Sequence, residues 1–333
     1  MSFNDIVGQE RPIGILSRAV ERERTAQAYL FLGMEGVGKK LAAYSLAKAL
    51  NCRGERSKPY LSCDSCLSCL KIDHGNHPDV QVVGGTPELI KIGQVRELQR
   101  KLHYKPLEGR KKVVIIDGAE NLGPAAANAL LKTLEEPPPE TVIILISTSL
   151  SLLLPTIISR CQKIRFQPLS INSLREVVGR ALPLKEEAVQ SLAFLSGGSP
   201  GRALQLAEES IWDTRKELLQ RIEQLSSDNI EELFQFSGSL AEDKEGLEGI
   251  FELLKTFFRD ILIFRENGKD RVVNLDLLPS IERLASKLSS AELVDRIEAI
   301  NEAQSALRQN VNRQLAVERM LLRICNWRSG QEK

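Results

Sequence analysis

Residues 28–40 read AYLFLGMEGVGKK: an apolar run, a glycine-rich loop and the start of a helical pattern in unbroken succession. Ala28 to Leu32 predict a short buried strand, and helical spacing begins at about Lys39. Between them Gly33, Gly36, Gly38 and Lys39 have the GxxxxGK spacing of a phosphate-binding loop. Glycines let backbone N–H groups curl around a phosphate, and the helix N-terminus adds partial positive charge. A lysine in the place of Lys39 reaches the β- and γ-oxygens. The competing reading is an ordinary glycine-rich turn, which the flanking strand and helix disfavour.

The position after the lysine normally carries Ser or Thr, whose hydroxyl holds Mg²⁺; here it is Lys40. A second aliphatic run, VVIID, ends at Asp117 as a metal-binding strand should, but the acid that would follow and position an attacking water is Gly118. Glu120 is the nearest substitute, two positions late. Two departures, one at the metal and one at the base, predict a loop that can still take ATP or ADP but does not hydrolyse it efficiently.

Outward from the loop, DVQVV, KVVIID, TVIILI and QKIRF alternate with helical patterns starting near Lys39, Gly93 and Pro124, up to residue 166. That rhythm predicts an α/β domain, a mostly parallel sheet with helices on both faces. After Pro168 only helical spacing remains, interrupted by Pro183, GGSPG at 197–201 and NGKD at 267–270. We therefore read residues 1–167 as the nucleotide-binding-like domain, 168–206 as a small helical lid and 207–333 as an all-α domain. The length of 333 residues suits two or three domains, and 42% apolar with 27% charged residues exclude a disordered or fibrous chain. The net charge of +1 argues against a small basic module that coats nucleic acid. It hides 27 basic and 20 acidic residues through position 206, against 18 and 24 after it. No apolar run approaches the ~20 residues of a membrane span, and Asp5 and Glu10 interrupt any leader-like stretch. The expected location is cytoplasmic.

Cys52, Cys63, Cys66 and Cys69 crowd four thiols into 18 residues between the loop helix and the next strand. Two CxxC turns sharing Cys66 suit one tetrahedral Zn²⁺ in a closed structural site. Redox-active or unligated cysteines are the alternatives, and His74 and His77 lie near enough to substitute as ligands. Cys161 and Cys325 are expected to be buried thiols. Residues 91–112 hold eight basic side chains against Glu97 and Glu108. Arg96 and Arg100 are four apart on a predicted helix, with Lys101 beside them, so the strip suits a nucleic-acid backbone or is simply a solvated helix face. Only Tyr104 is interleaved, so base stacking is not suggested.

FNDIVGQE at 3–10, the phosphate loop, the cysteine cluster, NALLKTLEEPP at 128–138, ISTS at 146–149, Ser159-Arg160-Cys161 and GSPGRAL at 198–204 together resemble the bacterial DNA polymerase III clamp-loader subunits. The degraded loop resembles the delta-prime type rather than the gamma/tau ATPase. The resemblance covers about residues 3–206; the helical remainder is similar only in position and helicity. It implies an AAA+ module, a lid and a collar, assembled with gamma/tau and delta into a hetero-pentamer that sets a sliding clamp on primed DNA within the polymerase (nucleotidyltransferase) holoenzyme. It further implies that Arg160 is an arginine finger acting on a neighbour's ATP, that Thr148 is sensor 1, that Arg202 is sensor 2 and that the cysteines hold zinc. Independently, a planar guanidinium suits γ-phosphate oxygens. A gamma/tau-like motor with its own ATPase and a stand-alone zinc-containing P-loop protein acting on nucleic acid stay open as alternatives; Lys40 and Gly118 separate the first of them from the delta-prime reading.

Overall fold

The structure is a computed structural model that describes residues 2–86, 88–181, 186–208, 211–225, 229–242, 246–308 and 311–325. It divides into two compact units, residues 1–174 with 198–201, and residues 175–197 with 202–333.

In the first unit, helix α1 (Glu10–Glu21) leads to strand β1 (Ala28–Leu32), and α2 (Lys39–Asn51) and α3 (Leu67–Asp73) follow. Next come β2 (Val80–Gly84), α4 (Ile92–Leu102), β3 (Lys112–Asp117), α5 (Pro124–Glu135), β4 (Thr141–Ser147), the short α6 (Pro155–Ile158) and β5 (Gln162–Arg165). The strands form one parallel sheet in the order β2-β3-β4-β1-β5. The three inner strands are the three most apolar runs, and β1 and β4 are buried along their whole length. A parallel strand covered on both faces has no water-facing side and therefore reads as a continuous apolar run rather than an alternating one. The edge strands β2 and β5 carry the exposed positions.

One face of the sheet, with Leu30, Val114, Ile116, Ile143 and Leu145, packs against Val95 and Leu98 of α4 and Ala126 and Leu130 of α5. Tyr29 and Phe31 alternate to the other face, where Phe31 meets the Phe166 ring at 5.3 Å between centroids. Helix α2 contacts β3 and β4, supplying buried Ala42, Ala43, Leu46 and Ala47, small side chains that let helix and sheet approach closely. All five expected strands are present, and the expected helices near residues 39, 93 and 124 start at Lys39, Ile92 and Pro124.

The second unit is all-helical among its described residues. It takes in most of α7 (Ile171–Ala181), α8 (Glu186–Leu195) and most of α9 (Pro200–Glu208). It continues with α10 (Ile211–Gln224), α11 (Ile230–Glu242), α12 (Leu247–Arg265), α13 (Leu278–Lys287), α14 (Ser290–Arg308) and α15 (Arg313–Ile324). Val178, Val189, Leu192, Ala203 and Leu206 form a small core of their own. A larger core gathers Phe251, Leu254, Phe257 and Phe258 of α12 with residues of α11, α13, α14 and α15. Asp260 of α12 is fully buried and accepts hydrogen bonds from the N–H groups of Val273 and Asn274 and from Asn274 Nδ2, which ties the segment after α12 back to that helix. The expected breaks at GGSPG and NGKD separate α8 from α9 and end α12; Pro183 lies outside the described residues. Among the described residues no helix is long and apolar enough to cross a membrane.

Candidate functional site

The register of the parallel strands brings the phosphate-loop residues to one edge. Leu32 is opposite Ser147 and Asp117 opposite Ile146, so the loop after β1, Asp117 and Thr148 all leave the carboxyl ends of adjacent strands. Ligands of open α/β sheets bind at this edge. Gly36 and Gly38 take positive φ, and α2 begins directly after Gly38. Lys39 is buried, and its Nζ donates to the carbonyls of Gly33 and Met34, the latter at 2.7 Å. Burial pushes its ammonium below the usual lysine range, with Glu120, Asp117 and Glu35 opposing. The start of α9 closes on the loop: Ser199 Oγ donates to the Glu35 carbonyl at 2.8 Å and the Gly201 N–H to that of Gly36 at 3.0 Å.

Lys40 Nζ lies 3.0 Å from Asp117 Oδ2. The residue at the metal-binding hydroxyl's place is thus an ammonium paired with the carboxylate that would hold the metal. Gly118 has φ +77°, and a Cβ there would lie 3.0 Å from Asn121 Nδ2. A glutamate at this position would be strained, so the missing acid is built into the backbone turn as well as the sequence. Glu120, two positions later, has its Oε2 buried without a hydrogen-bond partner among the described residues. Its Oε1 accepts from Thr148 Oγ1 at 2.7 Å and from the Thr148 N–H at 3.1 Å, which holds the carboxylate on the end of β4.

Arg160 lies at the other end of the sheet. Gln162 is opposite Tyr29 and Arg165 opposite Leu32, so β5 enters where β1 enters, and the phosphate loop starts where both leave. Three strand rises alone separate the two ends by roughly 10 Å. The guanidinium pairs with Glu135 Oε1 at 2.6 Å and donates to the Thr156 carbonyl at 2.9 Å. Glu135, the last residue of α5, belongs to NALLKTLEEPP, but only the fold shows that it holds Arg160. Arg202 lies in the second unit, with Glu252 in its electrostatic surroundings.

The cysteine cluster is one preformed site. The Sγ atoms of Cys52, Cys63, Cys66 and Cys69 all lie within 4.8 Å of one another. A zinc tetrahedron with ~2.3 Å bonds has sulfur separations of about 3.8 Å, so little contraction is needed. All four are unbridged thiols. Cys52 Sγ accepts the Cys63 N–H at 3.4 Å, and Cys63 Sγ the Cys66 N–H at 3.3 Å, bonds that favour thiolates. Burial pushes Cys63 up, but the Ser65 and Cys66 N–H groups draw it down to about 6. A Cβ on Gly54 would lie 2.5 Å from Cys63 Sγ, so only glycine fits against this sulfur. The donor set therefore fits a soft divalent ion such as zinc. The histidines are not part of it. His77 uses both ring nitrogens, on Ser68 Oγ and the Asp79 N–H, and His74 Nδ1 lies 2.7 Å from the Leu70 carbonyl. Cys161 and Cys325 are buried, and burial pushes their thiols to about 11 and about 12.

The sequence reading missed Lys48, fully buried on α2, whose Nζ meets Asp64 at 2.7 Å and Asp73 at 2.9 Å and so ties the cysteine loop and α3 to the helix of the phosphate loop. A lysine on an apolar helix face was the available signal. We expect Lys48→Met to lower unfolding stability by about 1–3 kcal/mol, less than for a fully enclosed pair because both carboxylates keep contact with water. Urea unfolding measures this; an unchanged midpoint contradicts the tie.

Arg96, Arg100 and Lys101 are exposed on α4, opposite the buried Val95, Leu98 and Leu102, and Lys101 pairs with Glu97 at 3.0 Å. Lys112 drops out of the basic strip: it is buried, with its amine on the Lys101 carbonyl and near the Tyr104 ring.

A strand-loop-helix phosphate site on a five-stranded parallel sheet, with a cysteine cluster inserted after α2 and a helical C-terminal region, defines an AAA+-like subunit. Residues 8–170 match the family described as DNA polymerase III, delta subunit, and residues 209–326 match the DNA polymerase III, delta subunit, C terminal family. The chain is 31% identical over 323 residues to the DNA polymerase III subunit delta-prime of Bacillus subtilis, spanning 95% of this chain and 96% of that one. It is 33% identical over 312 residues to the delta-prime subunit of Pseudomonas aeruginosa, spanning 90% and 92%. Against the B. subtilis tau subunit it is 28% identical, spanning 97% of this chain and 61% of tau. The chain belongs to the delta-prime family of DNA polymerase III clamp-loader subunits.

Proposed function

We propose that the chain is the stator of a clamp loader: it hydrolyses little or no ATP itself and supplies Arg160 to the ATP site of a neighbouring subunit. The observation that carries this is the placement of Arg160, held by Glu135 at the sheet end away from its own phosphate loop. A guanidinium there serves a γ-phosphate across a subunit boundary, where its fork neutralises charge developing in the transition state. The Lys40–Asp117 pair and the left-handed turn at Gly118 support the absence of self-hydrolysis and weigh against a gamma/tau-like motor.

In this reading residues 1–167, 168–206 and 207–333 are the ATPase-like domain, lid and collar, and the assembly is a hetero-pentamer with gamma/tau and delta that opens a sliding clamp at primed DNA. Gly33, Gly36, Gly38 and Lys39 cradle ATP or ADP, with Thr148 and Arg202 at the two sensor positions. Cys52, Cys63, Cys66 and Cys69 hold one structural zinc, which crosslinks the loop and leaves no coordination position for catalysis. Arg96 and Arg100 offer charge to the DNA backbone, and the protein works in the cytoplasm.

Gel filtration of the full chain with gamma/tau and delta tests the reading, alongside ATP turnover of the chain alone. A stoichiometric complex and turnover far below about 1 s⁻¹ are expected, since typical enzymes work at that rate or above. Failure to assemble, or rapid turnover by the chain alone, overturns it.

A further inference from the structure

The phosphate loop of an AAA+ fold implies Mg²⁺, and the residues of this chain do not fit it. Mg²⁺ takes six oxygens in near-octahedral geometry, and a P-loop contributes a Ser or Thr hydroxyl and an aspartate. Here the hydroxyl is replaced by the Lys40 ammonium, and that ammonium lies 3.0 Å from Asp117 Oδ2, within the reach of a direct ion pair. A Cβ on Gly85 would lie 3.3 Å from both Lys40 Nζ and Asp117 Oδ2, so the backbone after β2 packs directly over the pair. Of the other carboxylates acting on Lys39, Glu35 is exposed on the loop itself, and Glu120 has Oε1 on Thr148 and only its buried Oε2 without a hydrogen-bond partner among the described residues; the position after Asp117 is a glycine. A divalent cation entering here would have to break the Lys40–Asp117 pair, gain no hydroxyl in return and sit beside two ammonium groups.

We propose that Lys40 is a built-in replacement for the metal, so that this loop takes a nucleoside di- or triphosphate as the metal-free polyanion. Lys39 and Lys40 supply two positive charges where Lys and Mg²⁺ supply three in a hydrolytic site, so the ammonium takes the metal's place and supplies part of its charge. The ammonium neutralises phosphate charge without ordering a water for attack or polarising the γ-phosphate, which separates nucleotide binding from turnover. This rests on the reading of Gly33–Lys40 as a nucleotide-binding loop.

The test is calorimetric titration of the full chain with ADP, once in EDTA and once in excess Mg²⁺, for the wild type and Lys40→Thr. The substituted side chain is half exposed, so the variant is expected to fold, which circular dichroism verifies. For the wild type we expect binding in EDTA and a several-fold weaker apparent affinity in Mg²⁺, because chelation withdraws the free polyanion. For Lys40→Thr, which restores the hydroxyl and leaves Asp117 unpaired, the order should reverse, with Mg²⁺ strengthening binding by about tenfold or more. A parallel titration with Mn²⁺ and ADP, followed by paramagnetic resonance, should show bound Mn²⁺ in the variant and none in the wild type. Tighter wild-type binding in Mg²⁺, or bound Mn²⁺ in the wild type, overturns the metal-free site while leaving nucleotide binding intact. No ADP binding by the wild type in either medium overturns the nucleotide-binding reading itself, and the proposal with it.

Discussion

Arg160→Ala is expected to leave the chain folded and assembled while removing most of the hydrolysis at the neighbouring ATP site that Arg160 is proposed to serve. Arginine fingers contribute ~10³ to 10⁵ in rate, so that site should fall effectively silent. The DNA-stimulated ATPase of the whole complex should fall by that site's share and by whatever its neighbours lose through coupling. Folding should hardly change, because the Arg160–Glu135 pair is solvent-accessible and such pairs contribute about 0–1 kcal/mol. Arg160→Lys should recover little, since a point charge cannot make two parallel bonds to phosphate oxygens. Gel filtration and steady-state ATPase of the reconstituted complex report assembly and rate separately. Unchanged ATPase in an intact complex removes the finger role.

With zinc held by the four cysteines as proposed, its removal is expected to have the largest effect on structure. Elemental analysis of the native protein should find about one equivalent, and structural zinc in small modules contributes roughly 10–16 kcal/mol of apparent binding free energy. Cys66→Ser or strong chelation should strip the ion and unfold the segment around residues 52–73. The damage should spread to α2, because an unfolded loop no longer presents Asp64 to the buried Lys48. Lower thermal stability and faster proteolysis within residues 52–73 are the readouts, while Cys161→Ser and Cys325→Ser should keep the metal. A native protein that is fully folded without zinc excludes this role for the cluster.

Much of the first unit was legible because its signals are local. β1, β3 and β4 are nearly all apolar and β-branched or aromatic, and the loop glycines and cysteine spacings impose their geometry over a few residues. The relation between Lys40 and Asp117 was half legible: each was marked as out of pattern, but the two are 77 positions apart, and only the pairing of β1, β4 and β3 makes them an ion pair. Glu120 was open as a substitute base, and its engagement with Thr148 depended on which strand ends lie side by side. Lys112 counted toward a basic strip until burial at the start of β3 removed it.

The amino-acid sequence by itself determined the class of fold, the phosphate loop and its two defects, the four-thiol site and the helical character of the C-terminal region. All of these rest on short-range periodicity and on residue types whose chemistry does not depend on distant neighbours. The tertiary structure alone decided that Glu135 holds Arg160, that Lys48 fastens the cysteine module to α2 and that Lys40 closes on Asp117. Each is a charge pair between segments far apart in the chain, and a charged side chain in a sequence looks the same whether its partner is water or a carboxylate delivered by the fold.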